Sequence, residues 1–135
     1  MIAPEATSPQ PEPQSKKMIY VVDDEAMLLE LASVILRPLG CDIRTFRDPA
    51  NALAAFDQAN PRPALIITDY AMHSMNGMDL IQECRRIEPA QKTLLVSGTI
   101  GEEIFDDTSC KPDEFLAKPY HARQLIEVVK AMLSS

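Results

Sequence analysis

The sequence predicts an α/β fold: a five-stranded parallel sheet with helices packed on both faces. Two observations carry this expectation. Short continuous apolar runs of strand length, such as Met18-Ile19-Tyr20-Val21-Val22 and Ala64-Leu65-Ile66-Ile67-Thr68, mark strands buried on both faces. Between them lie segments whose apolar residues recur at helical spacing, and strands alternating with helices build a parallel sheet through right-handed crossovers.

The elements follow in order from Lys17. After the first strand, Glu25 to Leu36 carries Met27, Leu28, Leu31, Val34 and Ile35 at helical spacing, and Pro38 with Gly40 closes the helix. Cys41 to Phe46 is the second strand. Asp48-Pro49 opens the next helix, with Asp as N-cap and Pro in the first turn, and Ala52, Leu53, Ala55 and Phe56 form its apolar side. Asn60-Pro61-Arg62-Pro63 breaks that helix before the third and most central strand, Ala64 to Thr68. Asn76 to Ile87 is helical through Met78, Leu80, Ile81 and Cys84 and ends before Pro89. Thr93 to Val96 is strand four and Glu114 to Ala117 strand five. Between those two strands a helical pattern at Ile100, Ile104 and Phe105 is soon disrupted by Asp106 to Pro112, so the fourth helix is expected to be short or irregular. Ala122 to Leu133 is a last amphipathic helix through Leu125, Ile126, Val129 and Leu133.

Residues 1–16 stand apart. They hold Pro4, Pro9, Pro11 and Pro13 among polar residues and are read as a disordered tail, which leaves 17–135 as one domain. The net charge of -7 opposes direct nucleic-acid binding, because a phosphate backbone requires a basic face, and favours a cation or basic partners. No apolar run reaches the roughly 20 residues of a membrane span, and no signal-peptide pattern opens the chain. Cys41, Cys84 and Cys110 are odd in number and far apart, which predicts reduced thiols and a cytoplasmic location.

In an open parallel sheet, ligands bind beyond the carboxyl ends of the strands. That rule selects Asp23 and Asp24 after strand one, Asp69 after strand three, Ser97 after strand four and Lys118 after strand five. Singly, each has an ordinary structural explanation: Asp24 as a helix N-cap, Lys118-Pro119 as a turn with a solvated ammonium. Together they form three carboxylates that repel one another unless a cation joins them. Oxygen ligands in an open crevice suit Mg²⁺ or Mn²⁺, and one carboxylate can then attack phosphorus while Lys118 and Ser97 contact the transferred group.

The pieces Val21-Val22-Asp23-Asp24-Glu25, Asp69-Tyr70-Ala71-Met72-His73-Ser74-Met75-Asn76-Gly77, Ser97-Gly98 and Phe115-Leu116-Ala117-Lys118-Pro119 resemble, in this order, a response-regulator receiver domain. The resemblance covers about Lys17 to Leu133. It implies the flavodoxin-like doubly wound sheet of order 2-1-3-4-5, with Asp69 as phosphoacceptor. It also implies metal ligation by Asp24, by Asp23 largely through water, by Asp69 and by the Ala71 backbone carbonyl. Ser97 and Lys118 would hold the phosphoryl group, and Phe115 would swing inward as Ser97 moves. The implied partners are a histidine kinase or histidine phosphotransfer protein and a downstream protein target of unknown identity, with the chain monomeric or weakly dimeric on phosphorylation.

Some positions depart from the family pattern. His73 stands where Pro is usual and is expected to be an exposed loop residue. Phe115 replaces the common Tyr. Ala71 and Thr99 occupy positions that tune water access to an acyl phosphate, and Ala71 cannot orient a water, so slow self-catalysed dephosphorylation is expected. Ala71 also argues against a metal-dependent phosphatase, which needs a general-acid carboxylate there. Asp23-Asp24 argues against a flavin or nucleotide site, which needs a phosphate-binding loop after strand one. The remaining alternatives are a receiver-like module that binds partners without phosphorylation and a receiver fragment of a hybrid histidine kinase. As for output, the chain is expected to be either a stand-alone receiver acting through protein contacts or a piece of a hybrid sensor kinase or larger regulator.

Overall fold

A computed structural model of the chain describes residues 16–98 and 111–134. The elements run β1 (Met18–Val22), α1 (Ala26–Leu36), a 3-10 turn (Arg37–Leu39), β2 (Asp42–Phe46), α2 (Pro49–Gln58), β3 (Leu65–Asp69), α3 (Gly77–Ile87), β4 (Thr93–Ser97), β5 (Glu114–Ala117) and a C-terminal helix (Ala122–Ser134). All neighbouring strands pair in parallel, in the order β2-β1-β3-β4-β5. This is the predicted doubly wound sheet, with β3 at its centre. Residues 1–15 of the expected tail, the helix expected between β4 and β5, Thr99 and Cys110 lie outside the described residues.

Alternate residues of the inner strands feed opposite layers, as a pleated strand requires. Ile19 and Val21 pack with Leu29, Ala32 and Leu36 of α1 and with Leu125 and Val129 of the C-terminal helix. Tyr20 and Val22 pack on the other face with Ala52 and Phe56 of α2 and with Leu80 and Cys84 of α3. Each fully buried Leu, Ile or Phe in these layers contributes about 1.5–3 kcal/mol. Burial also pushes the Cys84 thiol up to about 12, helped by the charge of Glu83, so this cysteine is an inert core residue.

Local chemistry sets the helix ends. The Asp48 carboxylate accepts the Ala50 N–H at 2.9 Å, with Pro49 in the first turn of α2. The Asn76 side chain accepts the Asp79 N–H at 2.8 Å and caps α3. Past α1, Pro38 lies in the 3-10 turn, and Gly40 takes the left-handed conformation (φ 77°) that ends it.

Two expectations are corrected. Only the inner strands are buried on both faces; most of β2 and all of β5 are partly or fully exposed, because an edge strand has a neighbour on one side only. In α1 the buried stripe is Leu29, Ala32 and Leu36, whereas Met27, Leu31 and Val34 face outward at 76%, 50% and 52% exposure. This helix is apolar nearly all round, so spacing alone does not fix which face turns inward.

One polar clamp ties the start of β5 to the rest of the sheet. The Arg85 guanidinium of α3 pairs with Asp113 at 2.8 Å and also donates to the Thr93 hydroxyl and the Lys111 carbonyl. Asp113 in turn accepts the Thr93 N–H at 2.8 Å.

Candidate functional site

Strand register brings the predicted residues to one edge. Val22 pairs with Thr68, so Asp23 follows beside Asp69. Asp69 pairs with Val96, and Ser97 with Ala117, which places Ser97 and Lys118 at the same level. The backbone secures this edge: Asp23 N–H donates to Phe46 carbonyl at 3.0 Å, Tyr70 N–H to Val96 carbonyl at 2.9 Å, and Lys118 N–H to Ser97 carbonyl at 2.9 Å.

Here three carboxylates converge. Asp23, Asp24 and Asp69 each offer an oxygen within 4.8 Å of the others. Asp23 and Asp69 are buried, and Asp24 is half-buried. Lys118 Nζ lies 3.0 Å from Asp69 Oδ1 and 3.6 Å from Asp23 Oδ2, so one ammonium serves two buried carboxylates.

The electrostatics follow from that crowding. Burial raises the Asp23 carboxyl above the ordinary range; the Glu25 N–H donating to it at 3.0 Å lowers it, the Asp69 charge raises it, Lys118 lowers it and Asp24 raises it, with a net rise. Burial by itself lowers Lys118, but the hydrogen bond and charge of Asp69, then Asp23, outweigh that, and the ammonium is held above its usual value. A buried carboxylate cluster that one lysine neutralises only in part is a donor set suited to a divalent cation.

Asp24 does not act as a helix cap. The N-cap of α1 is Glu25, with no side-chain cap, and Asp23 supplies the local bond to the backbone instead. Ser97 is 2% exposed at the end of β4. Phe115 and Tyr70 are both half-buried and pack against Met78, Ile81 and Leu95. Ala71 is exposed in the loop between β3 and α3.

Sequence reasoning missed two neighbours of this site. His73, expected to be an exposed loop residue, is 93% exposed in its side chain, yet its Nδ1 stands 3.2 Å from Asp24 Oδ2. Tyr120 joins Val22, Leu28, Ile67 and Leu125 around a cavity of about 470 Å³ that reaches Asp69 and Lys118. Tyr120 carries no sequence signal, and the departure at His73 does not say which carboxylate it meets, since both contacts join residues from separate elements.

Comparison with known proteins bears on the family and the fold. The sequence model of the family described as "Response regulator receiver domain" matches residues 19–130. The chain is 29% identical over 118 residues to the DNA-binding response regulator MtrA of Mycobacterium tuberculosis (strain ATCC 25618 / H37Rv), covering 87% of this chain and 51% of that protein. It is 31% identical over 117 residues to the transcriptional regulatory protein CpxR homolog of Haemophilus influenzae, covering 85% of this chain and 49% of that one. The chain therefore spans about half the length of these curated relatives. Among solved structures, a CheY-like response regulator receiver domain protein from Methanospirillum hungatei JF-1 superposes with a TM-score of 0.81 at 25% identity, over 89% of this chain and 95% of that one.

Proposed function

The chain belongs to the response regulator receiver family, and from that premise we propose that Asp69 accepts a phosphoryl group from a phosphohistidine donor, a histidine kinase or histidine phosphotransfer protein. In this reading an Asp69 carboxylate oxygen attacks phosphorus, the O–P bond forms as the donor's N–P bond breaks, and the imidazole nitrogen leaves with the electron pair and takes up a proton. Asp23, Asp24, Asp69 and the Ala71 carbonyl would hold Mg²⁺ or Mn²⁺, which when bound neutralises charge on the phosphoryl oxygens. Lys118 exchanges its contact with Asp69 for the phosphoryl group, and the Ser97 hydroxyl donates to it. Phe115 then moves inward from its half-buried position, and the outer surface changes for a protein target. The chain acts as a cytoplasmic signalling switch that catalyses only its own phosphorylation and dephosphorylation.

The observation that supports this most directly is the buried Asp69 sharing Lys118 with Asp23. Incubation with acetyl phosphate and Mg²⁺ tests it by intact mass. The wild type is expected to gain one phosphoryl group and Asp69→Ala none. No gain in the wild type, or an equal gain in the variant, would sink the proposal and favour a receiver that binds partners unmodified.

Ala71 has no polar side chain with which to place an attacking water, so the acyl phosphate is expected to persist for minutes or longer. Decay within seconds, followed by the same mass measurement after removal of the donor, would contradict this. Ala71→Asn is expected to speed the decay.

MtrA is described as DNA-binding, and this chain spans about half of it. With a net charge of -7, this domain is proposed to act on a protein rather than on DNA directly. No described helix is long and apolar enough to cross a membrane.

A further inference from the structure

The exposed imidazole at the mouth of the carboxylate cluster has a chemistry that the three aspartates lack. Asp24 is the outermost of the three, with its side chain 22% exposed against 9% for Asp23 and 10% for Asp69. Lys118 serves the two inner carboxylates, and Arg47 approaches Asp24 only through its backbone carbonyl, at 3.3 and 3.4 Å. The Asp24 carboxylate instead meets His73 Nδ1 at 3.2 Å.

That separation suits two donors of one ion. Adjacent ligand atoms of an octahedral ion, each about 2.1 Å from it, stand about 3 Å apart. Donor type then decides selectivity. Mg²⁺ prefers oxygen and binds imidazole poorly, whereas imidazole suits borderline ions of the first transition row. The ring sits on a loop and is 93% exposed, so rotation of the side chain can bring it onto an ion held by Asp24 without moving the sheet.

We propose that His73 is a metal-selecting residue, adding a nitrogen donor beside Asp24 so that the site favours borderline divalent ions over Mg²⁺ more than three carboxylates alone would. The proposal rests on the reading of Asp23, Asp24 and Asp69 as a metal site.

Calorimetric titration of the metal-free full chain with Mg²⁺ and, separately, Co²⁺ tests it. His73→Ala is expected to weaken Co²⁺ binding about tenfold, the scale on which supporting ligands act, while Mg²⁺ affinity stays within twofold. The visible absorption of bound Co²⁺ should also change in His73→Ala. His121→Ala, the change at the other histidine of the chain, should leave both affinities as they are. Asp24→Asn should weaken both ions. Equal losses for Co²⁺ and Mg²⁺ in His73→Ala, or no loss for either, would overturn the role of His73 and leave the metal site standing. A wild type that binds neither ion would overturn the metal reading itself.

Discussion

Replacing Gly77 by alanine should destabilise the protein by about 3 kcal/mol and lower its melting temperature by about 10 °C. Gly77 opens α3, and its N–H donates to the Tyr70 carbonyl at 2.8 Å, so the loop after Asp69 folds back onto the strand it left. A Cβ here would press into the Asp69 carbonyl oxygen, 3.1 Å from the Asp69 carbonyl carbon and 2.8 Å from Leu95 Cδ1. Leu95 can rotate away, but the Asp69 backbone is held by its pairing with Val96. Relief therefore has to come from the start of α3 or from the end of β3. Either shift moves Asp69 relative to Asp23 and Lys118, so phosphorylation from acetyl phosphate should fall along with stability. Chemical denaturation checks the first effect and intact mass the second. A loss below 1 kcal/mol would mean that the helix start yields more readily than this packing implies.

Lys118→Met should remove about 2 kcal/mol of metal-free stability at neutral pH, between the worth of an exposed ion pair and the cost of breaking a buried one. Methionine keeps the apolar stem and deletes the charge, so Asp69 and Asp23 lose the ammonium at 3.0 and 3.6 Å. The folded value of Lys118 is raised, so its contribution is fully present below the ordinary lysine value of about 10.4 and is lost only as pH rises through the folded value. Asp23 is also raised, through burial first, so its contribution is present below the ordinary carboxylate range and fades as pH climbs through the folded value. Without Lys118 the Asp23 carboxyl loses a neighbour that lowers it and rises further. The deficit of the variant should therefore shrink on acidification toward the carboxylate range. Urea unfolding in chelator at neutral and mildly acidic pH measures this. Mg²⁺ should bind the variant more tightly than the wild type, since no ammonium competes for Asp69, and at 100 times its dissociation constant it should restore about 2.7 kcal/mol. Unchanged metal-free stability at neutral pH would show that the lysine is replaceable by water.

Much of this architecture is legible in the chain. The runs at Met18 and Leu65 are apolar on both sides of the pleat, and only a strand with a layer on each face accommodates that. In α3, Met78, Leu80, Ile81 and Cys84 are both the predicted and the buried face, because charged residues occupy the rest of the helix. In α1 no such contrast exists, and the predicted and buried faces differ. The exposure of β2 and β5 depends on sheet order, which apolar content does not encode.

The candidate site divides in the same way. Asp23, Asp24, Asp69, Ser97 and Lys118 are readable from sequence because each closes or follows a strand, and parallel strands present all their carboxyl ends at one edge. Which charge meets which was decided only by the folded chain. Lys118 stands between Asp69 and Asp23, His73 rather than a helix terminus faces Asp24, and the Asp69 backbone leaves no room for a side chain at Gly77. Strand and helix identity follow from local side-chain patterns that the sequence states outright. Ion pairing and close approach depend on distance and burial between residues far apart in the chain, and those quantities exist only once the layers have packed.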